Sequence, residues 1–499
     1  MSDEIYDLAI IGAGPGGYHA AIRAAQFGAN VALIEKEALG GTCLNWGCIP
    51  TKALYASSEL IQKIRNHGEE FGVKCGGLEL DFEQAVERKN QVVKELVEGI
   101  EALENTWKND VYKGFGKIVG GNKEEGFQVS VEGEDNTTIT AKRVIIATGS
   151  SPALIPAFNI DHDKILTSDD ILHPEFKEVP ETLLIIGAGV IGCEFANIFA
   201  TFGSEVTMLE YLPSPIATEE RLVIRELQKK LDELGIELHV SQNVLSVENT
   251  GDGVKATTCS ADVPRDEVES AEKSEFEADY CLVSIGRAKE SDNLGLEEMG
   301  IETDRGAIKV NQDTLETDCE GIYAIGDVTG GTMLAHVASY EGDVAVANIL
   351  HEIGGFEVEP RTTDYSVVPA TIFTSPNIGS VGMRRSDAKD KGIDVAMGRF
   401  PYESLGKAKC MGETEGFIMI LADKETGEIV GASCIGAEAP ELISEISVAM
   451  EHGITVAELG EVIHSHPTIS EMVLEGAEDT FGMAIHRRGR PDMDLHHKK

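Results

Sequence analysis

Two cysteines in one short segment, Gly40-Gly41-Thr42-Cys43-Leu44-Asn45-Trp46-Gly47-Cys48-Ile49-Pro50-Thr51-Lys52, carry the first chemical signal. The C-x4-C spacing is not that of a zinc pair, and no second pair follows at metal spacing, so no metal site is expected. Two thiols at the entrance to a helix gain thiolate character from its N-terminus, and a disulfide between them can accept two electrons. The usual fate of cysteine is to be a small buried hydrophobe; the surrounding glycines, proline and lysine favour the redox pair here. A second signal lies near the C-terminus, in His464-Ser465-His466-Pro467-Thr468-Ile469-Ser470-Glu471. Proline at 467 suits a first helical turn, which places His466 near a helix start. The carboxylate of Glu471 can then fix one imidazole tautomer and stabilise the charged ring. A thiol substrate needs such a base, because only the thiolate attacks a disulfide. Alone, these histidines would read as a surface cap or a stray two-ligand metal site; beside a redox pair, the base is the better reading.

The elements that position these groups show a repeat. Tyr6 to Ile11 is an apolar run that enters Gly12-Ala13-Gly14-Pro15-Gly16-Gly17, followed by an Ala-rich helical stretch. Gly12, Gly14 and Gly17 fit the dinucleotide fingerprint of strand, tight turn and helix, with the helix N-terminus facing a pyrophosphate. A second strand, Asn30 to Ile34, ends in Glu35, where a carboxylate can accept from both ribose hydroxyls and reject a 2′-phosphate. One glycine pattern is weak, but this one recurs: Leu183 to Ile186 enters Gly187, Gly189 and Gly192, and Glu210 takes the place of Glu35, each pair 175 residues apart. Gly28 and Gly203 keep the same register, so a whole fold is duplicated. Val144 to Ile146 before Ala147-Thr148-Gly149, and Leu282 to Ile285 before Gly286-Arg287, read as the strands that finish each sheet. Two dinucleotide sites imply two dinucleotides with electrons passing between them, the pattern of a flavin and nicotinamide oxidoreductase.

The composition narrows the class from the other side. The 499 residues suffice for three or four domains, and 42 Lys plus Arg against 86 Asp plus Glu give a formal charge of −44. That charge opposes attraction to nucleic acid phosphates and anionic lipid, so neither is an expected partner. It fits a high-salt habitat or a surface that docks basic partners, and composition does not separate the two. Nine sparse, irregular cysteines argue for a reducing compartment, and no apolar run approaches a membrane span, so a soluble cytoplasmic protein is expected. Residues 249–279, rich in Asp, Glu, Ser and Gly, read as a solvated hairpin or loop, and 487–499 as a fraying polar tail containing His496 and His497. The seven remaining cysteines read as buried structural thiols.

Taken together, these motifs resemble the pyridine nucleotide-disulfide oxidoreductases over almost the whole chain, and most of all the branch that oxidises dihydrolipoamide. Tyr323-Ala324-Ile325-Gly326-Asp327-Val328 is similar to the family's second flavin contact, and Met333-Leu334-Ala335-His336 follows in the family's order. The resemblance implies an α/β fold of two Rossmann-like dinucleotide-binding domains plus an α+β dimerisation domain. Its boundaries would be 1–150 for FAD and the disulfide, 151–283 for NAD, 284–355 for a central domain completing the FAD site, 356–480 for the interface and 481–499 for a tail. FAD would meet Gly12, Gly14, Gly17, Glu35, Lys52, Thr148, Gly149, Asp327 and Ala335; NAD would meet Gly187, Gly189, Gly192, Glu194, Glu210 and Gly286. Glu194 is also expected to pair with Lys52 beside the flavin's reactive nitrogen, and His336 to be a packing or flavin-side contact.

By the same resemblance, Cys43 and Cys48 form the redox disulfide, with Cys43 attacked by substrate and Cys48 nearer the flavin. His466 is the base, Glu471 its partner, and His466 of one subunit serves the disulfide of the other in a homodimer. The substrate would be a dihydrolipoyl-bearing protein of a 2-oxo acid dehydrogenase complex or the glycine cleavage system. Glu210, where a 2′-phosphate would need a cation, points to NAD rather than NADP. The alternatives are another NAD(P)H-dependent disulfide reductase of the family, or a flavoprotein scaffold or NADH sensor without thiol turnover. The chain departs from the family pattern at Ala288-Lys289-Glu290 and at Asn377.

Overall fold

Val31-Ala32-Leu33-Ile34 and Leu8-Ala9-Ile10-Ile11 are buried on both faces, as strands must be when helices cover a parallel sheet on two sides. The computed structural model describes residues 5–74 and 76–487 and shows such a sheet in each half of the repeat. In the first, strand Tyr6–Ile11 lies between Val31–Glu35 and Thr137–Ile146, parallel to both, and Ile322–Ala324 adds in parallel beyond Thr137–Ile146. Asp110–Asn122 and Gly126–Gly133 close the opposite side as an antiparallel meander. Helix Pro15–Gln26 covers one face, and helix Ala335–Ile353 lies against it, where Gly342 comes close to the Gly16 carbonyl. The segment after residue 284 therefore returns to the first sheet with one strand and one helix.

The second sheet is parallel throughout, in the order Glu237–His239, Glu205–Leu209, Thr182–Ile186, Tyr280–Val283, Ile165–Leu166. Helix Val190–Phe202 packs on it with ten buried residues, Phe195 and Phe199 among them. The acidic stretch 249–279 contains strands Val254–Ser260 and Ser274–Ala278, which form a three-stranded antiparallel sheet with Gln242–Asn249. Of the two readings of that stretch, the hairpin is the one observed: Val254 and Ala256 are buried, while Lys255, Glu275 and Glu277 alternate with them on the other face.

A third, antiparallel sheet runs Pro369–Ile372, Ile378–Gly382, Ile429–Ile435, Phe417–Asp423, Val395–Pro401. Helices Ala439–Glu451 and Glu471–Asp479 cover it through Leu442, Ile443, Ile446, Met472 and Val473. Among the described residues, no helix is long and apolar enough to cross a membrane. Cys193, Cys259, Cys281 and Cys434 are buried as expected, but Cys319 is half-buried and Cys410 exposed, so those two are not core thiols. Cys75, His496 and His497 lie outside the described residues.

Candidate active site

The two fingerprints are the same object built twice. Gly12 and Gly187 turn at φ +100° and +101°, where a Cβ would strike the carbonyl of Ala147 or Ser284 at 2.4 and 2.5 Å. A Cβ on Gly17 or Gly192 would sit 1.8 or 2.0 Å from the carbonyl of Gly12 or Gly187, so only glycine lets each helix lie on its strand. Gly14 and Gly189, the residues that open the two helices, have nothing within 4 Å of a built Cβ and no side chain capping the first turn. That leaves free amides around an open cradle, the form an anionic pyrophosphate needs.

The acidic partners repeat as well. Glu35 accepts from the amides of Ala13 at 2.7 Å and Glu37 at 2.8 Å, and Glu210 from those of Ala188 at 2.6 Å and Leu212 at 2.7 Å. Each carboxylate is fixed at the lip of its cradle and retains acceptor capacity for ribose hydroxyls. Burial pushes the Glu35 carboxyl up, against those two amides, which draw it down.

Cys43 lies in the short helix Gly41–Asn45, and Cys48 is the first residue of helix Cys48–His67. Both are thiols here, and the two sulfurs are near enough to perturb each other. The neighbouring sulfur drives Cys43 far up from the ordinary thiol range and, with the Lys52 cation, lowers Cys48 to about 7 against the opposing effect of burial. One turn into the helix, Lys52 Nζ donates to both oxygens of Glu194 at 2.8 Å, and the Phe373 amide also donates to Glu194 at 3.0 Å. Glu194, expected both at the NAD site and as the partner of Lys52, is 4% exposed and is engaged by Lys52 beside the cysteines, as the second expectation has it.

The floor of the first cradle contains groups that the sequence did not single out. Ser150 Oγ donates to Asp327, while Arg287 donates from Nε to Ser150 Oγ at 2.7 Å and from Nη2 to the Ser150 carbonyl at 2.6 Å. Arg287 thereby ties the strand after the second sheet to Asp327, 3.9 Å away. Buried Glu341 accepts from the Gly326 amide at 2.6 Å and from Tyr365 at 2.8 Å, fixing the turn that carries Asp327. The adjacency of Ser150 to Thr148-Gly149 and of Arg287 to Gly286 was the only available signal. Thr148 Oγ1 donates to the Glu290 carbonyl at 2.6 Å, Gly149 and Gly286 hold positive φ with open space around them, and Ala335 is the first residue of its helix. His336 is exposed and meets the Pro369 carbonyl at 2.9 Å, a backbone contact.

His466 Nδ1 lies 2.9 Å from Glu471 Oε1, leaving Nε2 outward on a ring that is 77% exposed. Burial raises the Glu471 carboxyl, but His466 and the Thr468 amide outweigh it and hold the group below the usual carboxylate range. The expected helix start at Pro467 is displaced: helix Glu471–Asp479 begins four residues later. Residues 465–470 instead make a turn in which Thr468 Oγ1 donates to the Ser465 carbonyl, and the dyad spans this turn. His464 is a structural residue, 4% exposed between Glu445 and the Val462 carbonyl.

Comparison with known proteins agrees with this geometry. The model of the pyridine nucleotide-disulphide oxidoreductase family matches residues 6–342, and that of its dimerisation domain matches 368–477. A dihydrolipoyl dehydrogenase of Bacillus subtilis is 41% identical over 486 residues, covering 96% of this chain and 99% of the relative. One from Halobacterium salinarum is 38% identical, covering 97% and 98%. Among solved structures, LpdA from Mycobacterium tuberculosis superposes with a TM-score of 0.85 at 28% identity, covering 95% of this chain and 99% of that one. The flavoprotein disulfide reductase RclA from Escherichia coli gives 0.81 at 28% identity over the same shares. The cofactors of this group are FAD and NAD, and the two open cradles with their carboxylates fit one dinucleotide each. With two matched cradles, a paired-cysteine helix start and near-complete coverage by both models, the chain belongs to the pyridine nucleotide-disulphide oxidoreductases.

Proposed function

We propose that the protein oxidises dihydrolipoamide to lipoamide with NAD+ as the final acceptor, through a Cys43–Cys48 disulfide and FAD. The carrying observation is the placement of Cys43 in helix Gly41–Asn45 and of Cys48 as the first residue of helix Cys48–His67, with the Lys52–Glu194 pair one turn away. In the oxidised site, His466 Nε2 takes a proton from one substrate thiol, and the resulting thiolate attacks Cys43 Sγ. The Cys43–Cys48 bond breaks, and Cys48 leaves as a thiolate, which its position at a helix N-terminus and the Lys52 cation favour. The second substrate thiol, giving up its proton, attacks the substrate sulfur of the mixed disulfide and closes the lipoamide ring; that proton ends on the departing Cys43, while the first stays on His466. FAD, held by the cradle of Gly12, Gly14 and Gly17 with Glu35, would supply two-electron acceptance from the cysteines and hydride donation to NAD+. Glu210 accepts ribose hydroxyls and repels a 2′-phosphate, which favours NAD over NADP.

The dimerisation domain carries His466 on an exposed loop, and Ile463 beside it is 98% exposed. A homodimer in which this loop meets the cysteines of the other subunit accounts for both features. The substrate arm would belong to a lipoyl-bearing protein of a 2-oxo acid dehydrogenase complex or the glycine cleavage system. The sparse thiols suit a reducing cytoplasm. Initial rates of NAD+-dependent dihydrolipoamide oxidation, compared with NADPH-dependent disulfide reduction, test the reading. The first is expected to dominate and to fall about 10²- to 10⁴-fold in His466→Gln at unchanged flavin content; dominance of the second overturns it.

A further inference from the structure

One turn beyond Glu471 on the same helix stands a second imidazole–carboxylate pair. Glu475, 6% exposed, faces His486 Nδ1 at 2.5 Å from Oε1 and accepts the His486 amide at 3.2 Å through Oε2. A turn further on, Asp479 accepts from the Arg399 amide at 2.7 Å and meets the Arg487 guanidinium. The carboxylates Glu471, Glu475 and Asp479, four residues apart, thus form one row that is met in order by His466, His486 and Arg487. Buried Phe481 and Ala484 anchor the returning segment that brings His486 and Arg487 to this row.

We propose that His486, held by Glu475, is a positioning residue for the catalytic base: it balances the buried carboxylate beside the His466–Glu471 dyad and so sets the pH at which His466 can accept a proton. This rests on the reading of His466 as the base. A helix rises about 5.4 Å per turn, so an unbalanced charge at Glu475 would act on the dyad from within a Debye length. It would favour the protonated imidazole, which accepts no proton from a thiol. Burial and the bonds from His466 and Thr468 dominate at Glu471, but the field of His486 reaches it as well. Other charged residues on the elements packed against this helix are Glu478 on the helix itself, Arg399 on strand Val395–Pro401, and Glu441 and Glu451 on helix Ala439–Glu451. Glu458 and Glu461 stand at helix Val456–Gly460, and Glu445 on helix Ala439–Glu451 is engaged by His464. Strand Phe417–Asp423 contributes Asp423 at its end.

The test is the pH profile of kcat/KM for dihydrolipoamide in the FAD-loaded enzyme. His486→Gln leaves Glu475 unbalanced and should move the acid limb upward by about half a pH unit. Glu475→Gln with His486→Gln, and separately His486→Lys, should return the limb to its parental place, which loss of packing alone would not do. NADH oxidation by an artificial dye needs no thiol base and should be equal in all variants. An unmoved limb in His486→Gln, or a displaced limb in both compensated variants, overturns the proposal while leaving the base reading intact. Full dihydrolipoamide oxidation by His466→Gln overturns both.

Discussion

Cys48 owes its acidity to two neighbours that outweigh its burial. The Cys43 thiol lowers it most, burial opposes, and the Lys52 cation lowers it further. In the reduced protein the thiolate at Cys48 should therefore form with a midpoint near about 7, while Cys43 stays a thiol. Lys52→Met removes a cation that favours the thiolate, so the midpoint should rise by about one unit, read from thiolate ultraviolet absorbance against pH. The same substitution strips Glu194 of both 2.8 Å bonds from Lys52 Nζ and leaves a buried carboxylate with the Phe373 amide. Lys52→Arg, which keeps the charge, should leave the midpoint near the parental value; a midpoint unmoved in Lys52→Met would assign the acidity to Cys43 alone.

Each dinucleotide cradle depends on a helix lying directly on the strand before it. Gly192→Ala places a methyl 2.0 Å from the Gly187 carbonyl and 3.0 Å from Ser284 Oγ, so helix Val190–Phe202 must move off its sheet. The expected result is at least a tenfold weaker NADH in a binding titration, a loss of about 1.4 kcal/mol or more, with flavin content close to parental. Gly17→Ala, with its methyl 1.8 Å from the Gly12 carbonyl, should instead cost FAD. If Gly192→Ala lost FAD and kept NADH, the assignment of the two cradles would be reversed. The repeat is expressed in side chains as well as backbone, since Glu35 and Glu210 accept from amides that also lie 175 residues apart.

Across the whole molecule, a formal charge of −44 repels itself at low ionic strength, and salt screens that repulsion. The unfolding temperature should accordingly rise between about 50 mM and about 2 M KCl, because the Debye length falls from over 10 Å to under 3 Å. A flat melting temperature over that range would set aside a high-salt explanation of the charge. Assembly makes a separate demand: a substitution that yields monomers should keep bound FAD and lose dihydrolipoamide oxidation, measured by sedimentation and by rate on the same sample. Full activity in a proven monomer would refute the shared site.

Local pattern was enough for the duplicated cradle, the Cys43 and Cys48 pair, and the His466 and Glu471 dyad, because each is written in residues close together or in a fixed register. Helix boundaries were less legible, since the turn through Thr468 displaced the helix start from Pro467 to Glu471, whereas the hairpin reading of the acidic stretch agrees with its paired strands. Glu194 was ambiguous in sequence, standing beside Gly192 yet reserved for a lysine 142 residues away. Ser150 and Arg287 have only their adjacency to Gly149 and Gly286 as a local signal, and Glu341 and Tyr365 near Asp327, and His486 against Glu475, have none. Chain folding alone brings such groups together, since burying a charge requires a partner that can come from anywhere in the sequence.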